Sequence, residues 1–307
     1  MHILRYQKVF KGHGTRLAIV RRLWRLLRAD PIALTALTFL LLAVVMGLLA
    51  ANISPYGPND QDLRARLLPP SWAGSGGHLL GTDGLGRDVL SRLMHGTRMA
   101  ILIPLVGVGI SLSLGMLLGL IAGFYGGKAD AIIMRIVDVK MALSTQLLIL
   151  VVIVMIGPGV RTLMLVFGIA HWVIYARIVR GALLSLRETP FVQAARIIGC
   201  SNRRVIFAHI MPSLVGLLTS VAIVEMGRLM VTEAGLSFLG FGVQPPTVTW
   251  GLMLAAGREY LNTAWWLVTF PGLLISVTVL AITLVGSWLR TITDPFRRHL
   301  ISMPRRS

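Results

Sequence analysis

Residues 191–212 read FVQAARIIGCSNRRVIFAHIMP, a polar and basic stretch that interrupts an otherwise strongly apolar chain. Apolar residues at its start recur at near-helical spacing, and Gly199 then allows the backbone to turn. The small side chains of Ala194 and Ala195 would let another protein approach the backbone closely. The pattern predicts a short helix and a turn that together form a docking surface.

The remainder of the chain has the composition of a membrane protein. Its 307 residues are 55% hydrophobic and only 14% charged, whereas soluble domains carry about 25% charged residues. A helix that crosses a bilayer needs about 20 apolar residues. We therefore predict an all-α membrane protein with six transmembrane helices, at residues 32–53, 99–123, 131–156, 160–179, 213–234 and 265–289.

The placement of positive charge predicts the orientation. The formal net charge is +18, and basic residues are concentrated before the first span, after the last span and in the loop 180–212. By the positive-inside rule these three regions are cytoplasmic, and the segment 54–98 lies outside. No basic face is interleaved with stacking aromatic residues, so we predict no nucleic-acid binding.

Three ionisable residues, Glu225, Arg228 and Glu233, lie within the fifth predicted span. Such groups at bilayer depth cost about 2.5–3.5 kcal/mol each on insertion scales, so they face the helix bundle or a wet cavity. Glu225 and Arg228 are three positions apart and can pair on one helix face. The residues themselves leave two interpretations open, a structural ion pair or the lining of a translocation path.

The sequence predicts neither a catalytic site nor a metal site. Its histidines are scattered, and it contains no HExxH motif and no paired-carboxylate arrangement. Its single cysteine, Cys200, rules out an internal disulfide and a cysteine metal cluster. The glycines at residues 81–86 are not followed by the Lys-Ser/Thr of a phosphate-binding loop. We therefore predict that this chain is not an enzyme and binds no cofactor.

Two local features give further expectations. In the stretch 78–100, Asp83 is expected to cap a short helix that carries Asp88. At the start of the last span, Trp265 and Trp266 are both expected in the belt where indoles meet the membrane–water interface.

Four blocks of the sequence resemble the permease subunits of ABC importers. Their coupling loop has the pattern E-A-A, three residues, Gly, nine residues, I-x-L-P, and here the matching positions are Gln193, Ala194, Ala195, Gly199, His209 and Pro212. Gln193 replaces the acidic residue, and the ending His-Ile-x-Pro is typical of the peptide and nickel branch. The other blocks, residues 78–100, 122–144 and 233–246, resemble the second permease subunit of dipeptide, oligopeptide and nickel importers. Ser144 stands where that family usually has proline.

The resemblance implies a MetI-like permease fold of the type I ABC importers and a role as half of a translocation path. The implied partners are a homologous permease subunit in a heterodimer, two cytoplasmic ATP-binding subunits that hold ATP and Mg, and an extracytoplasmic substrate-binding protein. The implied cargo is di- or oligopeptides, with nickel complexes or other small solutes as the alternative. The implied location is the bacterial inner membrane, with both termini in the cytoplasm.

Four regions of the chain follow from these expectations. They are a cytoplasmic basic segment at 1–29, the first transmembrane helix and external segment at 30–98, a permease core at 99–290 that contains the coupling loop 180–212, and a cytoplasmic tail at 291–307. Two rival functions remain, a proton-coupled secondary transporter that uses Glu225 or Glu233, and a membrane scaffold that transports nothing. The first is disfavoured because no inverted repeat with broken helices is evident in the sequence.

Overall fold

The computed structural model describes residues 26–74, 77–187 and 211–293. Within these ranges the chain is helical, and its β structure is confined to an isolated bridge between Thr82 and Asp88. In chain order the described helices are α1 Pro31–Ile53, α2 Val89–Tyr125, α3 Gly127–Ala142, α4 Thr145–Ile156, α5 Val160–Arg187, α6 Met211–Phe238, α7 Trp250–Gly257 and α8 Trp266–Thr293.

Five of these helices, α1, α2, α5, α6 and α8, are long and apolar enough to cross a membrane. The predicted continuous span at 131–156 is wrong, because α3 and α4 meet at an angle of 87°. Leu143 and Ser144 between them are both extended, with φ/ψ of −93°/138° and −60°/120°. Extended residues interrupt the helical hydrogen-bond ladder, so the chain bends here without a proline.

The packing of α2 against α5 shows that the bent pair crosses the membrane. The two helices run parallel, since Gly107 of α2 faces Phe167 of α5, and Gly119 further along α2 faces Ala176 further along α5. A Cβ atom at Gly119 would lie 2.7 Å from the carbonyl oxygen of Ala176, a separation of backbones that only glycine permits. Because α2 and α5 point the same way, α3 and α4 must return the chain across the bilayer, which completes the six predicted crossings.

The last two long helices, α6 and α8, pack antiparallel. Gly227 of α6 lies beside Val279 of α8, and Gly286, later in α8, lies beside Ile223, earlier in α6. The buried residues form two clusters. One is centred on α2 and α5, and the other joins the outer ends of α2, α6, α7 and α8.

The segment between α1 and α2, which the charge pattern predicts to be external and which we call the external segment, folds over the beginning of α2. Asp88 caps this helix by accepting hydrogen bonds from the backbone N–H of Ser91 at 2.7 Å and its hydroxyl at 2.7 Å. The expectation that Asp83 is a helix cap is therefore wrong. Asp83 instead accepts from the backbone N–H and the Nε of Arg87, at 3.0 and 2.7 Å.

These contacts belong to what we call the outer polar network, formed by His78, Asp83, Arg87, Asp88 and Arg92. His78 Nδ1 lies 2.9 Å from Asp88 Oδ1, and Arg92 Nε lies 3.6 Å from Asp83 Oδ2. Arg92 Nη1 also donates to a backbone carbonyl of the external segment, that of Pro58, at 2.9 Å. The network fixes the external segment to the first two turns of α2.

The two neighbouring tryptophans at the start of α8 have different surroundings. Trp265 is 48% exposed, as a residue of the interfacial belt should be. Trp266 is only 5% exposed, and its Nε1 donates to the carbonyl of Thr82 at 3.2 Å. The belt expectation is therefore wrong for Trp266, which ties α8 to the external segment instead.

Candidate translocation path and coupling surface

The coupling residues predicted from sequence fall almost entirely outside the described ranges. Gln193, Ala194, Ala195, Gly199 and His209 are among the residues not described. Pro212 is described as part of the first turn of α6, where proline is tolerated because the first N–H groups of a helix have no intrahelical partner.

The helices on either side locate the ends of this loop. The chain enters it from α5 and leaves it into α6. The end of α5 lies beside the end of α2, since Gly123 contacts Leu183, and Arg180 Nη2 donates to Asp130 Oδ2 at 2.6 Å near the start of α3. Because α2 begins under the external segment and ends here, the loop starts on the opposite side of the membrane from that segment.

A second set of ionisable residues lies near the middle of the bundle, and we call it the central polar group. Its members are Lys140 of α3, His171 and Tyr175 of α5, and Glu225 and Arg228 of α6. The predicted pair forms, with Arg228 Nη1 3.5 Å from Glu225 Oε1. Lys140 lies within electrostatic range of both residues, and His171 lies within range of Lys140 and Arg228.

The two members of the pair differ in exposure. Glu225 is only 8% exposed, whereas the side chain of Arg228 is 59% exposed at the middle of α6. A guanidinium in contact with lipid at this depth would be unfavourable by several kcal/mol, so this face of α6 meets water or another protein. The face also carries large exposed apolar residues at helical spacing, namely Leu217, Val224, Val231 and Phe238.

Two buried polar atoms of the central polar group have no hydrogen-bond partner among the residues that the structure describes. They are the hydroxyl oxygen of Tyr175 and Oε2 of Glu225. A buried polar atom left unpaired costs about 1–3 kcal/mol, and such atoms are rare in folded proteins. The described residues therefore satisfy the group only in part, which is typical of a site that interacts with water, a solute or a partner.

The break between α3 and α4 lies beside this group. Lys140 Nζ donates across the break to Thr145 Oγ1 at 3.0 Å, and residues 141–144 are all exposed. Irregular backbone at membrane depth is tolerated only where it is buried in protein or lines a water-filled cavity. Since the break is exposed on this chain, we infer that it faces water or another protein, as the Arg228 face of α6 does.

The structure does not bring Glu233 together with the other two predicted path residues. Glu233 is 2% exposed, and its Oε1 accepts hydrogen bonds from Ser237 Oγ at 2.8 Å and Thr249 Oγ1 at 3.1 Å. Thr249 Oγ1 in turn accepts from the backbone N–H of Leu252 and so caps α7. In this conformation Glu233 joins α6 to α7.

Three members of the central polar group were missed by the sequence-based site prediction. Lys140, His171 and Tyr175 come from segments distant from Glu225 in sequence, and only the helix packing brings them together. The signal that could have found them is a polar or charged side chain within an apolar span, which is uncommon. Among the described residues, no group of three or more His, Cys, Asp or Glu side chains is placed to hold a metal ion.

Comparison with known families agrees with this architecture. The family described as the binding-protein-dependent transport system inner membrane component matches residues 115–299. The N-terminal TM domain of oligopeptide transport permease C matches residues 19–70.

Several curated proteins are similar over nearly the whole chain. The di/tripeptide transport system permease protein DppC of Pseudomonas aeruginosa is 41% identical over 90% of this chain and 92% of its own length. The dipeptide transport system permease protein DppC of Haemophilus influenzae is 35% identical over 90% of this chain and 94% of its own. The probable D,D-dipeptide transport system permease protein DdpC of Escherichia coli is 36% identical over 95% of each chain.

Among solved structures, the chain resembles one from the MetNI methionine ABC transporter in an inward-facing conformation. The TM-score is 0.55 at 16% identity, and the match covers 67% of this chain and 97% of that one. At this identity the likeness shows a shared MetI-like fold. The two family matches and the curated relatives establish that this multi-pass membrane protein belongs to the family of inner-membrane components of binding-protein-dependent transport systems. It is therefore an ABC permease subunit rather than an enzyme.

Proposed function

We propose that this chain forms half of the translocation path of a peptide importer and is moved by separate ATPase subunits. The observation that carries the proposal is the exposed Arg228 beside the exposed α3–α4 break at mid-bundle. A cation and irregular backbone at that depth are favourable where they line water. The relatives named for di- and tripeptides favour peptides over nickel complexes as cargo.

The same features account for the proposed partners. The exposed face of α6 is completed by a homologous permease subunit, and we expect a heterodimer. Two ATP-binding subunits dock on the coupling loops of the two permease subunits. In this chain that loop is 180–212, and its docking residues are Gln193, Ala194, Ala195, Gly199, His209 and Pro212. A substrate-binding protein delivers cargo to the opposite side, where the external segment lies. Both termini are cytoplasmic in the bacterial inner membrane, and ATP and Mg belong to the ATPase subunits.

The loop's connections suggest how a push on it reaches the path. Its two ends continue directly into α5 and α6, which carry four of the five members of the central polar group. The close glycine contacts between α2 and α5 favour movement of those two helices as one body. When nucleotide closes the motors, a shift of α6 against that body changes the spacing of Glu225 and Arg228 from Lys140 and so opens or closes the path.

The proposal is tested by replacing Gly199→Leu in the assembled importer. We expect the variant to insert and assemble normally but to lose ATP-driven uptake of a labelled dipeptide into proteoliposomes, because a bulky side chain blocks the turn and the docking surface. Cys200→Ser, a small change at the next position, is the matched control and should transport normally. Unchanged uptake by Gly199→Leu, or uptake driven by a proton gradient without the ATPases, would refute the proposed coupling.

A further inference from the structure

A cavity of about 350 Å³ lies at the outer end of the bundle, away from the central polar group. One wall comes from the external segment and the start of α2, and the other comes from α7, the turn after it and the start of α8. Small-molecule sites range from about 300 to 1,000 Å³, so this cavity suits one small solute. It is too small for a folded loop of another protein.

The walls of the cavity are held in place by direct contacts between its two sides. Trp266 Nε1 donates to the carbonyl of Thr82, and the Thr82 hydroxyl accepts from the backbone N–H of Leu68 at 2.8 Å. Gly84 faces Tyr260 so closely that a Cβ atom there would lie 2.8 Å from the phenolic oxygen. The cavity is therefore preformed, because contacts between its two walls hold it in place.

The lining of the cavity has two chemical halves. Its apolar side includes Met253 and Leu267, which are 6% and 4% exposed. Its polar side carries three arginines against two acids, so the lining has one surplus positive charge: Arg66, Arg87 and Arg92 against Asp83 and Glu259.

The guanidinium groups retain unused donors. Arg87 and Arg92 share the single carboxylate of Asp83, at 2.7 and 3.6 Å. Arg66 Nη2 donates to the neutral hydroxyl of Tyr260 at 3.3 Å, and among the described residues Arg66 forms no ion pair. Each guanidinium carries five N–H donors in a fork that matches a carboxylate. The cavity thus offers cationic donors on one side and an apolar surface on the other.

We propose that this cavity binds the terminal carboxylate of a short peptide at the entrance to the path. The carboxylate would bind Arg66 and Arg87, and an apolar side chain would pack against Met253 and Leu267. A single surplus charge matches a monocarboxylate, whereas a phosphate dianion would leave a net negative site. The choice of a peptide rests on the proposed function, but the carboxylate specificity follows from the cavity alone.

Such a site would hold cargo at the outer mouth after its release from the binding protein. It would act on the capture of substrate rather than on the later movement of the helices. Loss of the site should therefore raise the KM for uptake and leave the maximal rate of the ATP-driven step nearly unchanged.

The test uses the assembled importer in nanodiscs without ATP and without binding protein. Binding of dialanine and of its C-terminal amide is measured by ligand-observed NMR for the unchanged complex, for Arg66→Gln and for Arg64→Gln. Arg64 is an exposed neighbour outside the cavity lining and serves as the matched control. We expect Arg66→Gln to weaken dialanine binding about tenfold through the loss of charge-assisted hydrogen bonds.

The same measurement defines the results that overturn the proposal. We expect the amide to bind weakly to all three complexes and Arg64→Gln to behave like the unchanged protein. Equal binding of amide and free acid, equal losses in both arginine variants, or no dialanine binding to the unchanged complex would each refute the site. If Arg66→Gln leaves dialanine binding unchanged but weakens docking of the binding protein in a separate pull-down, the cavity is a protein contact and the proposal fails. Because no ATP is used, failure of the coupling proposal would leave this result unaffected.

Discussion

The outer polar network and the central polar group contain similar residues but differ in how completely their carboxylates are paired. In the outer network, Asp88 accepts two hydrogen bonds from Ser91 and lies 2.9 Å from His78, and Asp83 is bonded to both the backbone and the side chain of Arg87. In the central group, one oxygen of Glu225 has no hydrogen-bond partner within the described ranges, and Arg228 is largely exposed.

The difference distinguishes polar residues that stabilise the fold from polar residues that act in transport. Buried carboxylates that accept several hydrogen bonds, as Asp83 and Asp88 do, rigidify the structure around them, whereas a partly bonded carboxylate costs free energy that packing elsewhere must offset. The outer network therefore fixes the external segment on α2. The central group is better explained by interactions that change during transport.

The largest expected effect on folding comes from Asp88→Ala. This change removes three side-chain contacts of Asp88, one of which is the cap bond from the backbone N–H of Ser91, so we expect a loss of roughly 2–3 kcal/mol in the free energy of unfolding. The measurement is the thermal midpoint and the yield of folded complex in detergent. Asp62→Ala is the control, because Asp62 caps only an exposed turn through the backbone N–H of Arg64. Equal stability of the two variants would contradict a structural role for the outer network.

Arg228→Gln should show the opposite pattern. Because the Arg228 side chain is 59% exposed and its pair with Glu225 is long, we expect stability to change by no more than about 0.5 kcal/mol. Uptake of a labelled dipeptide should fall about tenfold, as expected for the loss of one charged contact along the path. Normal uptake together with a large drop in thermal midpoint would show that the central group is structural and would remove the contrast with the outer network.

The sequence predicted the helical class, the number of crossings and the Glu225–Arg228 pair. These features depend on apolar run length and on local spacing, which the sequence displays directly. The break in the third crossing was not predictable in the same way, since no proline or glycine occurs between residues 131 and 156 to mark it. Asp83 was predicted as the helix cap, whereas Asp88 is the residue that caps α2. The sequence could not separate the two aspartates, because only the structure shows that Asp83 pairs with Arg87 and Arg92 instead.

The composition of the central polar group required the three-dimensional structure. Lys140 comes within electrostatic range of Glu225 because α3 ends at mid-bundle, and the close packing of α5 on Gly115 of α2 brings Tyr175 within the same range. Likewise, Glu233 and Glu225 look equivalent in sequence, but the hydroxyls of Ser237 and Thr249 bind only Glu233. The predicted role of the loop residues around Gly199 stays a prediction, since those residues lie outside the described ranges.

A small effect is expected from Ser144→Pro at the α3–α4 break. Ser144 has φ −60° and the preceding Leu143 is extended, and proline accepts both conformations. We expect a stability change between zero and a gain of about 1 kcal/mol, with normal uptake. The thermal midpoint checks this prediction. A fall of several degrees in the thermal midpoint would mean that α3 and α4 form a straight span during part of the transport cycle. The exposed break would then not be a fixed feature of the path.

The most direct measurement of the central claim is the water accessibility of the α6 face that carries Arg228. In a Cys200→Ser background, single cysteines are placed at Val231 on that face and at Leu42, an exposed position of α1. Labelling by a membrane-impermeant maleimide is then followed in the assembled importer through the ATP cycle. We predict that the cysteine at position 231 is labelled at a rate that depends on nucleotide, while the one at position 42 stays unlabelled in lipid. Equal protection of both positions in every nucleotide state would contradict a water-filled path along α6.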